Sequence, residues 1–422
     1  MIAILIYAAI FALCFVLASL VSRGVGRKLV GMRKTVTFGD ESAVTANRLA
    51  SVFSILTVFL LWGAFTGSKL VPSFLHAPGP FVGDAAFTYT LETPDGRQGD
   101  ARVTVIVRPA NALPAAPAAP ESAGLARDDV VVVPAQRSTL IQPDANDEAK
   151  RADGAKIVAI DGKPIAPGAE VDTDFGSVTM SQRGALNIRP YPGLQMEPIW
   201  LPSPEAVWSR LVDIAQHGFR NYTLLEHLGW SMLRVLTGFG LGALVGIPLG
   251  YAMGLSGWVR GWFEPIVEFM RPVPPLALIP LVIIWAGIGE AGKIILLFLA
   301  ALWIMAIAAR SGVSRINLTK VHAAYSLGAG KWQLMRHVII PNSLPEIFTG
   351  ARVAMGVCWG TVVAAELVAA EKGAGMMIMV ASRFQNTDIV IMGIILIGLI
   401  GFGIDLLMRW AERMLVPWKG KS

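Results

Sequence analysis

Ile2 to Val21 is a charge-free apolar run, about the twenty residues that an α-helix needs to cross the hydrocarbon core of a bilayer. Six more apolar runs follow: Leu49–Gly67, Val235–Val259, Pro272–Gly289, Ile294–Ala309, Ile347–Ala370 and Ile389–Ile404. In lipid every backbone polar group must be bonded within the protein, so each run is confined to a helix. An all-α polytopic membrane protein of about seven transmembrane helices is expected. With 54% hydrophobic and only 16% charged residues, the composition excludes a string of soluble domains.

The formal charge of +6 invites a nucleic-acid reading, but its distribution argues against one. Ser73 to Trp200 holds 16 acidic and 11 basic residues, a net −5, so the remainder carries +11. That surplus lies beside apolar runs, where Lys and Arg mark the cytoplasmic side. Arg23, Arg27, Lys28, Arg33, Lys34 and Arg48 place the first interhelical segment inside and the N-terminus outside. The same alternation brings Arg310, Arg315, Lys320, Lys331 and Arg336 inside, and with them the tail of Arg409, Arg413, Lys419 and Lys421. An uncleaved anchor at Ile2–Val21 is favoured over a signal peptide, because no basic segment precedes this long run.

Pro72 to about Met196 has a different composition. Val103–Val107, Val130–Val133 and Ile157–Ile160 are β-branched runs separated by Pro94-Asp95-Gly96 and Asp161-Gly162 turns. A small β-rich insert on the outer side follows, and the Pro/Ala stretch Asn111–Gly124 is expected to divide it into two lobes. Gly242, Gly246 and Gly250 recur at the spacing that lets two helix backbones approach. Pro272, Pro274, Pro275 and Pro280 predict a broken or tilted helix, weighed equally against a simple helix start.

The cytoplasmic stretch Val321–Pro345 reads VHAAYSLGAGKWQLMRHVIIPNSLP. Its exposed apolar side chains, Leu327, Trp332, Leu334 and Met335 among them, need a partner surface. An interfacial helix on lipid headgroups is the alternative. Ala323, Ala324, Gly328, Val338, Ile340 and Pro341 reproduce the spacing Glu-Ala-Ala, three residues, Gly, nine residues, Ile-x-Leu-Pro, with His322 at the acidic position. This resembles the signature loop of permease subunits of type I binding-protein-dependent ABC importers. The likeness extends from about Ile199 to Trp418, through RPVPPLALIPLVIIWAGIGE at Arg271–Glu290 and LPEIFTGARVAMGVCWGTVVAAELVAA at Leu344–Ala370. It is greatest to the taurine, aliphatic-sulfonate and nitrate permeases.

The resemblance implies a type I importer permease fold. Residues 1–48 are then an extra helix and basic loop, 49–71 the first core helix, 72–198 a periplasmic insert, and 199–418 the core with a coupling loop at 316–345. It implies an ATPase-docking loop using His322, Ala323, Ala324, Leu327, Gly328, Ala329, Trp332 and Pro341. Pro274, Pro275, Trp359 and Glu366 are candidates for the pathway or gate. The implied partners are two ATPase subunits, a periplasmic substrate-binding protein, a second permease copy and the lipid bilayer, with no nucleic acid. ATP and Mg belong to the ATPases. Gly328-Ala329-Gly330-Lys331 is not a phosphate loop, since Tyr325 stands where its first glycine belongs and Trp332 where its Ser or Thr belongs. No catalytic, cofactor-binding or metal-binding residues are therefore expected in this chain.

Glu366 sits among apolar residues, where a carboxylate needs a partner or water. Arg352, fourteen positions earlier, is too distant along a helix to pair with it. A structural or gating hydrogen bond is preferred over contact with an anionic substrate. Glu264 and Glu268 before Arg271 are expected to form local ion pairs at the cytoplasmic entrance of the next span. His76, His217, His227, His322 and His337 read as surface or loop residues, with His322 set apart by its motif position. The expected function is an inner-membrane permease subunit of an ATP-driven importer for taurine or a related sulfonate, or else for nitrate or another oxyanion. A secondary transporter and a membrane-anchored ligand sensor are the rivals from other classes.

Overall fold

The computed structural model describes residues 2–29, 48–109, 113–115, 117 and 124–418. The chain forms two compact units, Met1–Glu205 and Ala206–Ser422. In the first, α1 (Ile2–Leu29) and α2 (Arg48–Thr66) carry exposed apolar side chains such as Leu13, Phe15, Leu56 and Phe59, the surface that suits lipid. The α1 helix runs eight residues past Val21 and so takes in Arg23, Arg27 and Lys28. Arg33 and Lys34 of the expected basic loop lie outside the described residues.

Nine strands follow: β1 (Gly83–Glu92), β2 (Gln98–Arg108), β3 (Asp129–Pro134), β4 (Thr139–Ile141), β5 (Lys156–Ile160), β6 (Lys163–Pro164), β7 (Glu170–Thr173), β8 (Gly176–Met180) and β9 (Leu186–Pro190). They form a five-stranded sheet, β3-β2-β1-β5-β6, and a four-stranded sheet, β4-β9-β8-β7. Alternate residues point inward, as the two-residue strand period requires: Phe87, Tyr89 and Leu91 on β1, and Val103, Val105 and Val107 on β2. Asp161 and Gly162, at φ 48° and 72°, turn β5 into β6 in a two-residue hairpin.

The expected division into two lobes is not found. β2 and β3 pair in parallel, from Val103 opposite Asp129 to Arg108 opposite Pro134, so the strands on either side of the Pro/Ala stretch lie in the same sheet. Val105 and Val133 from either side of it share one core with Phe175 and Ile188. Both ends of the insert are held together: Leu194 N–H donates to Pro78 O at 2.7 Å, and Phe81 N–H to Tyr191 O at 3.0 Å. They are also stitched to the end of α2, through Met196 N–H to Phe65 O at 2.8 Å and Trp62 Nε1–H to Pro202 O at 2.9 Å. The Glu205 carboxylate closes the junction, accepting from Ser68 Oγ at 2.6 Å and Lys69 N at 3.1 Å.

The helix α3 (Pro204–His217) leads in sequence to the second unit. There α4 (Leu224–Leu255), α5 (Gly257–Met270), α6 (Ile279–Ala286) and α7 (Glu290–Ser314) precede two short helices, α8 (Leu318–Ser326) and α9 (Lys331–Leu334). A π-helical turn, Met335–Ile339, leads into α10 (Ile340–Ala369), followed by α11 (Ala374–Arg383) and α12 (Thr387–Leu415). Among the described residues four helical segments are long and apolar enough to cross a membrane: α4, α7, Lys331–Val368 and α12. The broken helix is present too, since α5 and the Pro275–Ala286 segment meet at 93° and could form a fifth span. The apolar stretches of α1 and α2, Ala8–Leu20 and Ala50–Thr66, are shorter.

The glycine ladder of α4 packs against α7. A Cβ at Gly242 would meet Ala301 Cβ at 2.5 Å, and one at Gly246 would meet Leu302 O at 2.6 Å. Gly250 faces Ala309 Cβ at 2.6 Å in the same way. The absence of side chains on one helix and alanines on the other bring the two backbones together.

Candidate functional site

Thr223 starts α4 with a capping box, its hydroxyl accepting from Glu226 N–H at 3.2 Å and its own N–H donating to Glu226 Oε2 at 2.7 Å. This start sets His227, Ser231 and Arg234 on one helix face, because residues four and three apart are neighbours. The face meets Glu290, the first residue of α7, and Glu366, near the end of α10. Arg234 Nε and Nη2 grip Glu290 at 2.6 and 2.7 Å, while Nη1 reaches Glu366 at 2.6 Å. The side chains of Arg234 and Glu366 are only 1% and 0% exposed, so neither charge has water to fall back on. Lys293 adds a second cation to Glu290 at 2.9 Å. Two cations and two carboxylates therefore balance.

The same cluster fixes the turn before α11. Ser231 Oγ donates to Glu366 at 2.8 Å and accepts from Ala374 N–H at 3.0 Å; Glu366 accepts from Gly375 N–H at 3.0 Å. Arg234 also donates to Lys372 O at 2.9 Å, and the Lys372 ammonium lies 3.8 Å from the centre of the Trp230 ring. His227 is fully buried, contrary to the surface role expected for it. Its Nε2–H donates to Phe219 O at 3.2 Å and its Nδ1 accepts from Gly373 N–H at 3.1 Å. Glu366 thus has the partner that the cost of burial demands, and it is Arg234, not Arg352. Arg352 instead pairs with Asp405 of α12 at 3.1 Å.

At the other end of α7 and α10 lies the segment expected to dock an ATPase. Asn317 caps α8 through Thr319 N–H at 2.9 Å. Val321 and Ala324 pack against the bundle core, while His322, Ala323 and Tyr325 face outward. Gly328, at φ +79°, turns the chain back; no neighbour crowds it, so the backbone conformation alone calls for glycine. Ala329 N–H bonds to Ala324 O at 3.0 Å across this turn. Leu327 and Trp332 are 88% and 72% exposed, an apolar surface without a partner among the described residues. Leu334 and Met335 differ from expectation, since Leu334 is buried and Met335 packs on the core as the chain enters the π-helical turn. Lys320 to Asn342 at 2.9 Å and Arg315 to Glu346 at 2.5 Å tie the segment to the start of α10. Pro341 sits in the first turn of α10, its carbonyl accepting from Trp418 Nε1 at 3.2 Å.

Over residues 242–416 the chain matches the family described as binding-protein-dependent transport system inner membrane component. It is 46% identical to the taurine transport system permease protein of Escherichia coli over 227 residues, covering 54% of this chain and 82% of that relative. The chain belongs to this family of ABC importer permeases. The permease is also 38% identical to a putative aliphatic sulfonates transport permease protein of Escherichia coli, over 52% of this chain and 81% of that protein. With the bicarbonate transport system permease protein of Synechococcus elongatus it shares 30% identity, over 44% and 67% of the two chains.

The remaining pathway candidates separate. Trp359 is buried and donates to Ile397 O of α12 at 3.0 Å, a helix-packing position. Pro274 and Pro275 line a cavity at the α5–α6 break. Glu264 pairs with Arg260 at 2.8 Å, as expected locally, and also with Arg310 of α7. Glu268 pairs with Arg271 at 3.8 Å, and Arg271 and Trp303, the latter halfway along α7, line the same cavity. Sequence reading missed Arg234, and the signal was available: a lone Arg at the border of an apolar run, within a chain whose Glu366 needed a cation.

Proposed function

We propose that this permease is the translocation subunit of an ATP-driven importer of small sulfonates, with taurine as first cargo. The observation that carries the cargo assignment is the 46% identity to the Escherichia coli taurine permease over most of that protein's length. In this reading residues 199–418 form the core, two copies enclose the route, and the His322–Trp332 surface docks a separate ATPase that holds ATP and Mg. The α8–α9 turn supports it: exposed Leu327 and Trp332 are held on a segment braced to α10 by Lys320 and Arg315, so a push there reaches the bundle. The coupling segment and C-terminus are cytoplasmic; the N-terminus, the β insert and the ionic cluster face the periplasm, where a loaded binding protein docks. Alternating closure is then a hinge or shear motion of packed helices. Nitrate or another small oxyanion is a second cargo class, favoured by the 30% identity to a bicarbonate permease.

The test is ATPase activity and uptake in proteoliposomes of the permease–ATPase complex, with binding protein loaded with taurine, an alkylsulfonate or nitrate. Stimulation and uptake with taurine support the assignment. An intact complex that takes up only nitrate, or nothing, overturns the cargo.

A further inference from the structure

The exposed apolar surface of the α8–α9 segment is wider than Leu327 and Trp332, and its polar groups are all of one kind. On α8, Leu318, His322 and Tyr325 follow at intervals of four and three, so they share a helix face, and all three are exposed. The His322 ring is thus set in an apolar stripe, with no partner among the described residues. Beyond the Gly328 turn, Lys331 and Arg336 bracket Trp332 in sequence; both are exposed, and neither has an ion pair among the described residues. Arg315 and Lys320 differ, being engaged by Glu346 and Asn342.

The sequence has no Asp or Glu between Glu290 and Glu346, so no carboxylate of the segment itself balances these cations. A partner that covers the apolar stripe must also satisfy the polar groups it covers. A covered imidazole with free nitrogens calls for an acceptor, and cations beside it favour a negative potential on the facing surface. A bilayer surface also attracts Lys, Arg and Trp, but a helix lying on it buries one continuous apolar face. Here a nine-residue and a four-residue helix meet at a turn, and Leu327 stands at that corner. A corner of this kind fits a cleft in a protein better than a flat surface.

Resting on the importer reading above, we propose that the ATPase groove receiving α8 and α9 is apolar at its centre and carries carboxylates facing His322, Lys331 and Arg336. His322 is then a determinant of which ATPase this permease accepts. A groove that presents a cation there, the match for the Glu of the resembled signature, is disfavoured by the three basic side chains.

The full-length permease in nanodiscs of zwitterionic lipid, titrated with its purified ATPase, tests this. Lys331→Glu and Arg336→Glu are each expected to raise Kd about tenfold, and wild-type binding to weaken as added salt screens the pairs. An unchanged Tm of each variant permease checks its fold. His322→Glu restores the acidic residue of the signature and so decides the sign. Weakening by a similar factor supports the carboxylates, whereas unchanged or tighter binding overturns them and leaves the importer reading standing. An effect of Lys331→Glu and Arg336→Glu confined to nanodiscs of anionic lipid assigns the cations to headgroups and also overturns the proposal. A wild-type permease that binds no ATPase overturns the importer reading itself.

Discussion

Replacing either partner of the Arg234–Glu366 pair should destabilise the permease by unequal amounts. Breaking a buried ion pair from one side costs about 3–5 kcal/mol, because the surviving charge is left uncompensated. Glu366→Met leaves Arg234 held bidentately by Glu290, so its cost belongs at the lower end. Arg234→Met leaves Glu366 with only the Ser231 hydroxyl and Gly375 N–H, and also frees Lys372 O, which puts it at the upper end. For a unit of this size 1 kcal/mol corresponds to about 2–4 °C in Tm. The expected losses are about 6–12 °C for Glu366→Met and about 10–20 °C for Arg234→Met. The double variant removes both charges together and should fall well short of the sum, with a coupling of about 2 kcal/mol. Thermal unfolding of the purified permease, followed by tryptophan fluorescence at one scan rate, reads all four corners of the cycle. Additive losses, or a larger loss for Glu366→Met, would refute the reasoning.

Four other outcomes are expected. Burial, followed by the nearby charges of Asp147, Asp128 and Asp144, raises the Asp129 pKa to about 6. The folded β unit therefore holds a proton that the unfolded chain has lost, and stability should fall as pH rises from about 4 through 6; hydrogen exchange of β3 across that range measures it, and Asp129→Asn should flatten the profile. Gly250→Val would drive side-chain atoms into α7 at Ala306 and Ala309, costing about 1–3 kcal/mol or more, seen as a lower Tm. Gly328→Ala puts a Cβ on a left-handed residue and should cost about 1 kcal/mol locally, read as less uptake per ATP hydrolysed; unchanged coupling would count against a strict geometry for the turn. Excising 79–193 and joining Pro78 to Leu194 by a short linker should leave an assembled, transport-competent complex, because those backbones are already hydrogen bonded; uptake assays decide.

Much of this architecture was legible because it depends on local pattern. Apolar runs gave the core helices, β-branched runs gave β2, β3 and β5, and the spacing of Gly242, Gly246 and Gly250 gave a helix contact. The ionic cluster was not legible, since Arg234 and Glu366 are 132 positions apart and only the packing of α4 against α10 joins them. His227 looked like a loop residue for the same reason: its two bonds run to Phe219 and Gly373, outside its own helix. The proline cluster showed that a helix would break, yet the 93° angle depends on what α7 offers to pack against. In the coupling segment Leu327 and Leu334 look alike in sequence, and only the turn at Gly328 decides that one is exposed and the other buried.

The α4–α7 ladder also restricts how the bundle can move. With Gly238, Gly242, Gly246 and Gly250 seated closely against Leu297, Ala301, Met305 and Ala309 of α7, a slide of even half a turn would lose this close fit. The two helices therefore behave as a single stiff beam running from the ionic cluster to the coupling segment. In the importer reading proposed above, work delivered at Leu327 and Trp332 is not lost in shear between them. It must emerge where the beam meets softer joints, at the jackknifed α5–α6 elbow and at the short α11, and these are the places where successive conformations of the permease should differ most.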